Sequence, residues 1–144
     1  MLYLSSARGR AVTVYTYSDT QTELVTTLTG FDEPTGECVD KSGNVFITDR
    51  SHIYKYAHGG TKPIATLQDV YGGALSCSIN AATGDLAVTN EYNDSGDAGS
   101  VLIYPKAKMP PAEYTGLTLD HPSYCAYDGK GNLYIDGYSS NGRL

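Results

Sequence analysis

The chain has 144 residues and a net charge of −6, with 16 acidic residues against 10 lysines and arginines. That balance offers no basic footprint for nucleic acid, and no run approaches the roughly eighteen apolar residues of a membrane-spanning helix. Sixteen glycines, 13 tyrosines, no tryptophan and a charged share of only 18% suit short strands joined by tight turns.

Met1 to Ser6 lacks the charged start and apolar core of a secretory signal and reads as a strand entered midway. Two more strands are expected at Val12–Tyr17 and Leu24–Leu28. A short strand at Gly36–Val39 then leads into Asp40-Lys41-Ser42-Gly43-Asn44-Val45-Phe46-Ile47-Thr48-Asp49, followed by strands at Ile53–Tyr56 and Pro63–Leu67. The order recurs: Leu75–Ile79 precedes Asn80-Ala81-Ala82-Thr83-Gly84-Asp85-Leu86-Ala87-Val88-Thr89-Asn90, with Val101–Tyr104 and Ala112–Leu117 behind it. A third copy opens with Ser123–Tyr127 and continues as Asp128-Gly129-Lys130-Gly131-Asn132-Leu133-Tyr134-Ile135-Asp136-Gly137.

Each motif is a hairpin in outline. An Asp or Asn opens the turn, Gly supplies a positive φ, and a β-branched or aromatic run follows. The marker glycines Gly43, Gly84 and Gly131 are 41 and 47 residues apart, and Leu2 stands 43 residues before Val45. Four short strands every 40 to 48 residues mark an all-β chain built as a segment of a β-propeller, about three and a half four-stranded blades long. The expected units are 1–30 (partial), 31–70, 71–119 and 120–144 (partial). The chain is thus expected to start at the second strand of one blade and stop after the second strand of its fourth. An open arc leaves two blade faces uncovered, so the sequence is either a piece of a longer protein or an arc that self-associates through those faces.

The pattern Asp-x-x-Gly-Asn-(Val/Leu)-aromatic-Ile, with Pro34 and Pro122 each six residues before the turn Asp, resembles NHL-repeat propellers. It is similar also to the wider group of SMP-30-like lactonases and streptogramin-lyase-like proteins, which usually have six blades. The middle copy departs from the pattern, with Ala87 in the aromatic position and Asn80 for the Asp. The resemblance implies an architecture more than a function, because this fold hosts many functions.

Assigning loops by the repeat gives two rims of opposite sign. One carries Asp32, Glu33, Asp49, Asp69, Glu91, Asp94, Asp97 and Asp120, with Tyr71, Tyr92 and Tyr138 among them. The other carries Lys41, Lys62, Lys106, Lys108 and Lys130, five of the six lysines. A charged concave end concentrates oppositely charged ligands, so the acidic rim is the expected functional face. The candidate ligand-binding residues are Asp49, Tyr71, Asn90, Tyr92, Asp94, Asp97, Asp120, His121 and Tyr138. The long loop from Asn90 to Ser100 has oxygens that suit Ca²⁺, but Ala98 stands where a calcium loop has its Gly, so no metal site is assigned.

The resemblance to the lactonases implies a divalent metal at the channel mouth, for which Glu37, Asp49, Asn90 and Asp136 qualify by position alone. Turn capping is the expected role of Asp40, Asn80 and Asp128. Asp120-His121 could supply a general base, although a loop histidine beside Pro122 is the plainer reading. Cys77 and Cys125 occupy equivalent inner-strand positions and Cys38 is shifted by one. All three are expected to be small buried thiols near the axis, too far apart across blades for a disulfide.

The expected function is therefore a non-catalytic NHL-like binding module that takes a protein, glycan or small-molecule ligand on the acidic rim, without nucleic acid. The alternative is a fragment of a metal-dependent SMP-30-like lactonase or a streptogramin-lyase-like enzyme. No compartment is fixed, though an extracytoplasmic one would suit a full-length chain with a signal peptide.

Overall fold

The computed structural model describes residues 1–92 and 98–139. Its thirteen strands are β1 (Leu2–Ser6), β2 (Ala11–Tyr17), β3 (Thr22–Thr29), β4 (Pro34–Val39), β5 (Val45–Asp49), β6 (His52–Tyr56), β7 (Pro63–Gln68), β8 (Ala74–Ile79), β9 (Leu86–Asn90), β10 (Ser100–Tyr104), β11 (Ala112–Tyr114), β12 (His121–Tyr127) and β13 (Leu133–Tyr138). They form four antiparallel meanders: β1-β2-β3, β4-β5-β6-β7, β8-β9-β10-β11 and β12-β13. Each sheet is a blade, and the chain is a propeller segment of about three and a half of them.

Blade stacking explains why the second strands lack a period-two pattern. Both β5 and β9 are buried along their whole length, because each has a neighbouring sheet on either face. On β5, Val45 and Ile47 join Val12, Val14, Leu28, Phe31 and Tyr56 in the core between the first two blades. Phe46 points the other way and packs with Ile53, Cys77, Leu86, Val88, Leu102 and Tyr104 in the second core. Each such side chain, fully buried, contributes about 1.5–3 kcal/mol.

The hairpin turns follow the sequence chemistry. Asp40 Oδ1 accepts the Ser42 and Asn44 N–H groups at 2.9 Å, and Oδ2 accepts Asn44 Nδ2 at 2.8 Å. Asp128 repeats the arrangement with Lys130 and Asn132. Gly43 and Gly131 take the positive φ (79° and 87°) that an L side chain resists. Burial alone would raise the Asp40 carboxyl, but the bonds from Asn44, Lys55 and Ser42 outweigh it and hold it below the ordinary range.

Blades are sewn together by a threonine that repeats. Thr48 Oγ1 accepts the Gly36 N–H within its own blade at 2.9 Å and donates to the Leu75 carbonyl of the next at 2.9 Å. Thr89 accepts from Ser76 N and donates to Ser123 O in the same way. The approach needs glycine: a Cβ on Gly36 would lie 2.5 Å from the Leu75 carbonyl oxygen.

The cysteines overturn the expectation of three thiols. Cys38 on β4 and Cys77 on β8 form a disulfide, with Cα atoms 5.6 Å apart. The two are not equivalent positions. Cys38 lies two residues before its turn and Cys77 three before, and near the axis that one-residue offset aims the two side chains at each other. Cys125 remains a thiol, its pKa pushed up to about 11 by burial, with bonds from Ser76 and Thr89 pulling weakly the other way.

Candidate functional site

The acidic rim is built on the ends of the second strands. Asp49 ends β5 at 2% exposure and turns its carboxylate inward, where Oδ1 and Oδ2 accept the Asp32 N–H at 2.9 and 3.0 Å. Oδ1 also accepts the Glu33 N–H. Asn90, at the same place on β9, is fully buried and donates Nδ2 to Asp69 Oδ2 at 2.6 Å. Asp69 in turn accepts the Tyr71 and Gly72 N–H groups. One position thus braces the loop entering its blade, directly in one case and through Asp69 in the other. Neither Asp49 nor Asn90 presents its side chain to solvent.

Asp136 does not share that position. It pairs opposite Tyr124, as Thr48 pairs opposite Gly36, and Gly137 is the true counterpart of Asp49. Glu37 sits on inner strand β4, away from the rim loops. The four positions suggested for a channel-mouth metal are therefore not brought together. Among the described residues no three His, Cys, Asp or Glu side chains group as a metal ion would require.

What the bracing leaves exposed is a set of charges on firm backbone. Arg50 follows Asp49 with φ of 51°, its carbonyl accepting the Ala74 N–H at 3.0 Å. Its guanidinium reaches Glu33 at 3.2 Å, while Arg10 holds Asp32 at 2.6 Å. These side chains are at least half exposed, so each pair contributes little stability, in the range of about 0–1 kcal/mol. Glu33, Arg50 and Glu91, with the backbone of Gly72 to Leu75, line a cleft of about 50 Å³ between the second and third blades. The space suits the tip of one side chain or an ordered water rather than a whole small molecule.

The remaining described candidates are not among the residues that line this cleft. Tyr71 is half-buried and donates its hydroxyl to Glu113 Oε2 at 2.8 Å, and Tyr92 is 39% exposed. His121 and Tyr138 face each other across β12 and β13 with rings stacked 4.6 Å apart, and Asp120 accepts from Ser139 Oγ at 3.2 Å. Asp94 and Asp97 lie outside the described residues. Arg50 was missed because the rim was read by its carboxylates. The repeat alignment marks it all the same, since Arg50 and Glu91 occupy the same step after the strand end.

The architecture and rim define a β-propeller segment. No protein-family model matches the chain, and no curated protein matches its sequence. Solved structures of propellers do. The chain is similar to one in the crystal structure of the nidogen/laminin complex, with TM-score 0.73 and 15% identity over 92% of this chain and 51% of that one. It is similar to virginiamycin B lyase from Staphylococcus aureus, with TM-score 0.70 and 12% identity over 98% and 49%. A chain of the mitotic checkpoint complex gives TM-score 0.66 and 11% identity over 93% and 44%. At these identities the likeness is one of fold, and the chain spans about half the length of the first two.

Proposed function

We propose that this chain belongs to a binding propeller of NHL-like type whose acidic rim takes a basic segment of another protein, with the cleft around Glu33, Arg50 and Glu91 receiving one of its side chains. The observation that carries this reading is the division of labour at the strand ends. Asp49, Asp69 and Asn90 are spent holding the loops, while Glu33, Arg50 and Glu91 stay exposed on backbone those loops make rigid. Charges pre-set in this way bind with little ordering cost. Asp32, Glu33, Glu91 and Asp120 outnumber Arg10 and Arg50 on this face, which favours a cationic partner. Two of the similar structures are protein assemblies, nidogen with laminin and the mitotic checkpoint complex.

Panning the full chain against a displayed library of random dodecapeptides tests the proposal. Peptides rich in Lys or Arg should be enriched, bind more weakly as salt rises, and lose about tenfold in affinity to a Glu33→Gln/Glu91→Gln variant. Enriched peptides without basic residues, or with equal affinity for the variant, would refute it.

A further inference from the structure

The rim opposite the acidic one is formed by the hairpin turns, among them 40–44 between β4 and β5, 57–62 between β6 and β7, 80–85 between β8 and β9, 105–111 between β10 and β11, and 128–132 between β12 and β13. These turns close the ends of the blades, away from the two blade faces that the arc leaves open. Lys41, Lys62, Lys106, Lys108 and Lys130 are all exposed there, and none forms an ion pair among the described residues. The acids of the same turns are committed. Asp40 takes Lys55 Nζ at 3.1 Å besides the three bonds of its own turn. Asp85 accepts Thr83 Oγ1 at 2.7 Å and the Lys106 N–H at 2.8 Å, and Asp128 accepts from Lys130 and Asn132. Exposed Asp19 belongs to the turn of the first blade.

The middle turn reverses the chemistry of its neighbours. Where they have Asp40 and Asp128, the third blade has Asn80. The Oδ2 atoms of Asp40 and Asp128 each accept a side-chain amide, from Asn44 and Asn132. Asn80 Oδ1 accepts the Ala82 and Thr83 N–H groups at 2.9 and 3.3 Å, and those donors fix which end of its amide is the oxygen. Its Nδ2 then has no acceptor among the described residues. It stands beside the turn of the fourth blade, where a Cβ at Gly131 would come within 3.1 Å of it. On the other side of Asn80, a groove of about 280 Å³ separates its turn from Asp40, Lys41 and Ser42. An amide N–H with nothing to donate to calls for an acceptor. The ammonium groups of Lys41 and Lys130, on the two flanking turns, make an anion the acceptor that gains most.

We propose that the rim around Asn80 is a second binding surface, which takes an acidic segment of a partner polypeptide with one carboxylate over Asn80 Nδ2, between Lys41 and Lys130. The site is independent of the acidic-rim reading. The exposed lysines are spread over four turns in three blades, further than one small anion spans, so the ligand carries several spaced negative charges. An extended peptide with acids at alternate positions presents them on one side. A dense polyanion such as nucleic acid is opposed by Asp40, Asp85 and Asp128 on the same turns and by the net charge of −6.

The probe is a fluorescein-labelled octapeptide alternating glutamate and glycine, with the full chain titrated into it at low salt and followed by anisotropy. Saturable binding is expected below about 1 mM protein, weakening as salt rises. Asn80→Asp restores the residue that the neighbouring turns have and keeps an acceptor for Ala82 and Thr83, so its melting midpoint should stay close to that of the parent. It should nevertheless weaken the peptide at least about tenfold, as should Lys41→Gln/Lys130→Gln. Glu33→Gln/Glu91→Gln, on the other rim, should not weaken it. Absence of saturation at about 1 mM, or equal affinity for the Asn80→Asp variant, overturns the proposal. So does a Lys62→Gln/Lys108→Gln variant that loses as much affinity as Lys41→Gln/Lys130→Gln, which would mean charge attraction without a site. Tighter binding of a single-stranded oligodeoxynucleotide of equal charge overturns it as well and assigns the rim to nucleic acid.

Discussion

Removing the Cys38–Cys77 bridge isolates the coupling between the second and third blades. The two cysteines are 39 residues apart in sequence, and closing a loop of that size removes denatured-state entropy worth about 4 kcal/mol at 25 °C. For a chain of this size each kcal/mol moves the midpoint by about 2–4 °C, so a Cys38→Ala/Cys77→Ala variant should melt about 8–16 °C below the parent. Thermal unfolding by circular dichroism, with and without a dithiol reductant, separates the cross-link from the lost side-chain volume, because reduction removes only the former. Thiol titration in denaturant should find a single reactive group before reduction and three after it. A melting midpoint within about 2 °C of the parent, or three thiols in the unreduced chain, would refute the bridge. The repeat extends the argument: Ser78 stands to Cys125 as Cys38 stands to Cys77. Ser78→Cys should therefore close a second inter-blade bridge and leave no titratable thiol.

The other expectations concern single residues. Asp49→Ala strands the Asp32 and Glu33 N–H groups and should cost about 2–3 kcal/mol by urea denaturation, with faster amide exchange at those two residues. Gly36→Ala forces a Cβ onto the Leu75 carbonyl and the Ser76 backbone and should cost at least about 2 kcal/mol, while Gly129→Ala, with nothing near its Cβ, should be close to neutral. Burial holds the Glu37 carboxyl above the ordinary glutamate range, with bonds from Ser5 opposing it less strongly. The folded chain therefore prefers the protonated acid, and this contribution is complete below the unfolded pKa and lost as pH rises through the folded one. Glu37→Gln should raise the melting midpoint at about pH 7 and leave it unchanged near pH 3.5, where both states hold the proton.

The architecture was legible because the hairpin motif carries its chemistry in the open. Asp40, Gly43 and Asn44 name the turn, and the buried runs after them name a strand covered on both faces. The rim was only partly legible. Asp49 and Asn90 look like exposed acceptors at loop mouths, and only the fold shows them turned inward onto backbone N–H groups. A carboxylate beside a loop reads the same in sequence whether it binds a ligand or the loop itself. Asp136 was misplaced by one step along the motif. Counted from the turn Asp, Gly137 stands where Asp49 does, and matching bulges between Pro34 and Gly36 and between Pro122 and Tyr124 keep the two registers equivalent.

The disulfide was missed through a symmetry assumption, and the correction carries further than the cysteines. The bridge instead joins the position two before one turn to the position three before the next. Read with that offset, the inner ring of the propeller becomes a series of unlike pairs. One is covalent, at Cys38 and Cys77. One is polar, from the Tyr127 N–H to Ser78 Oγ. One is borne by Glu37, whose carboxyl takes bonds from Ser5 on β1. A repeat whose other positions are alike from blade to blade, such as Thr48 and Thr89, is held by its common geometry. A position that changes chemistry in every blade does something different in each.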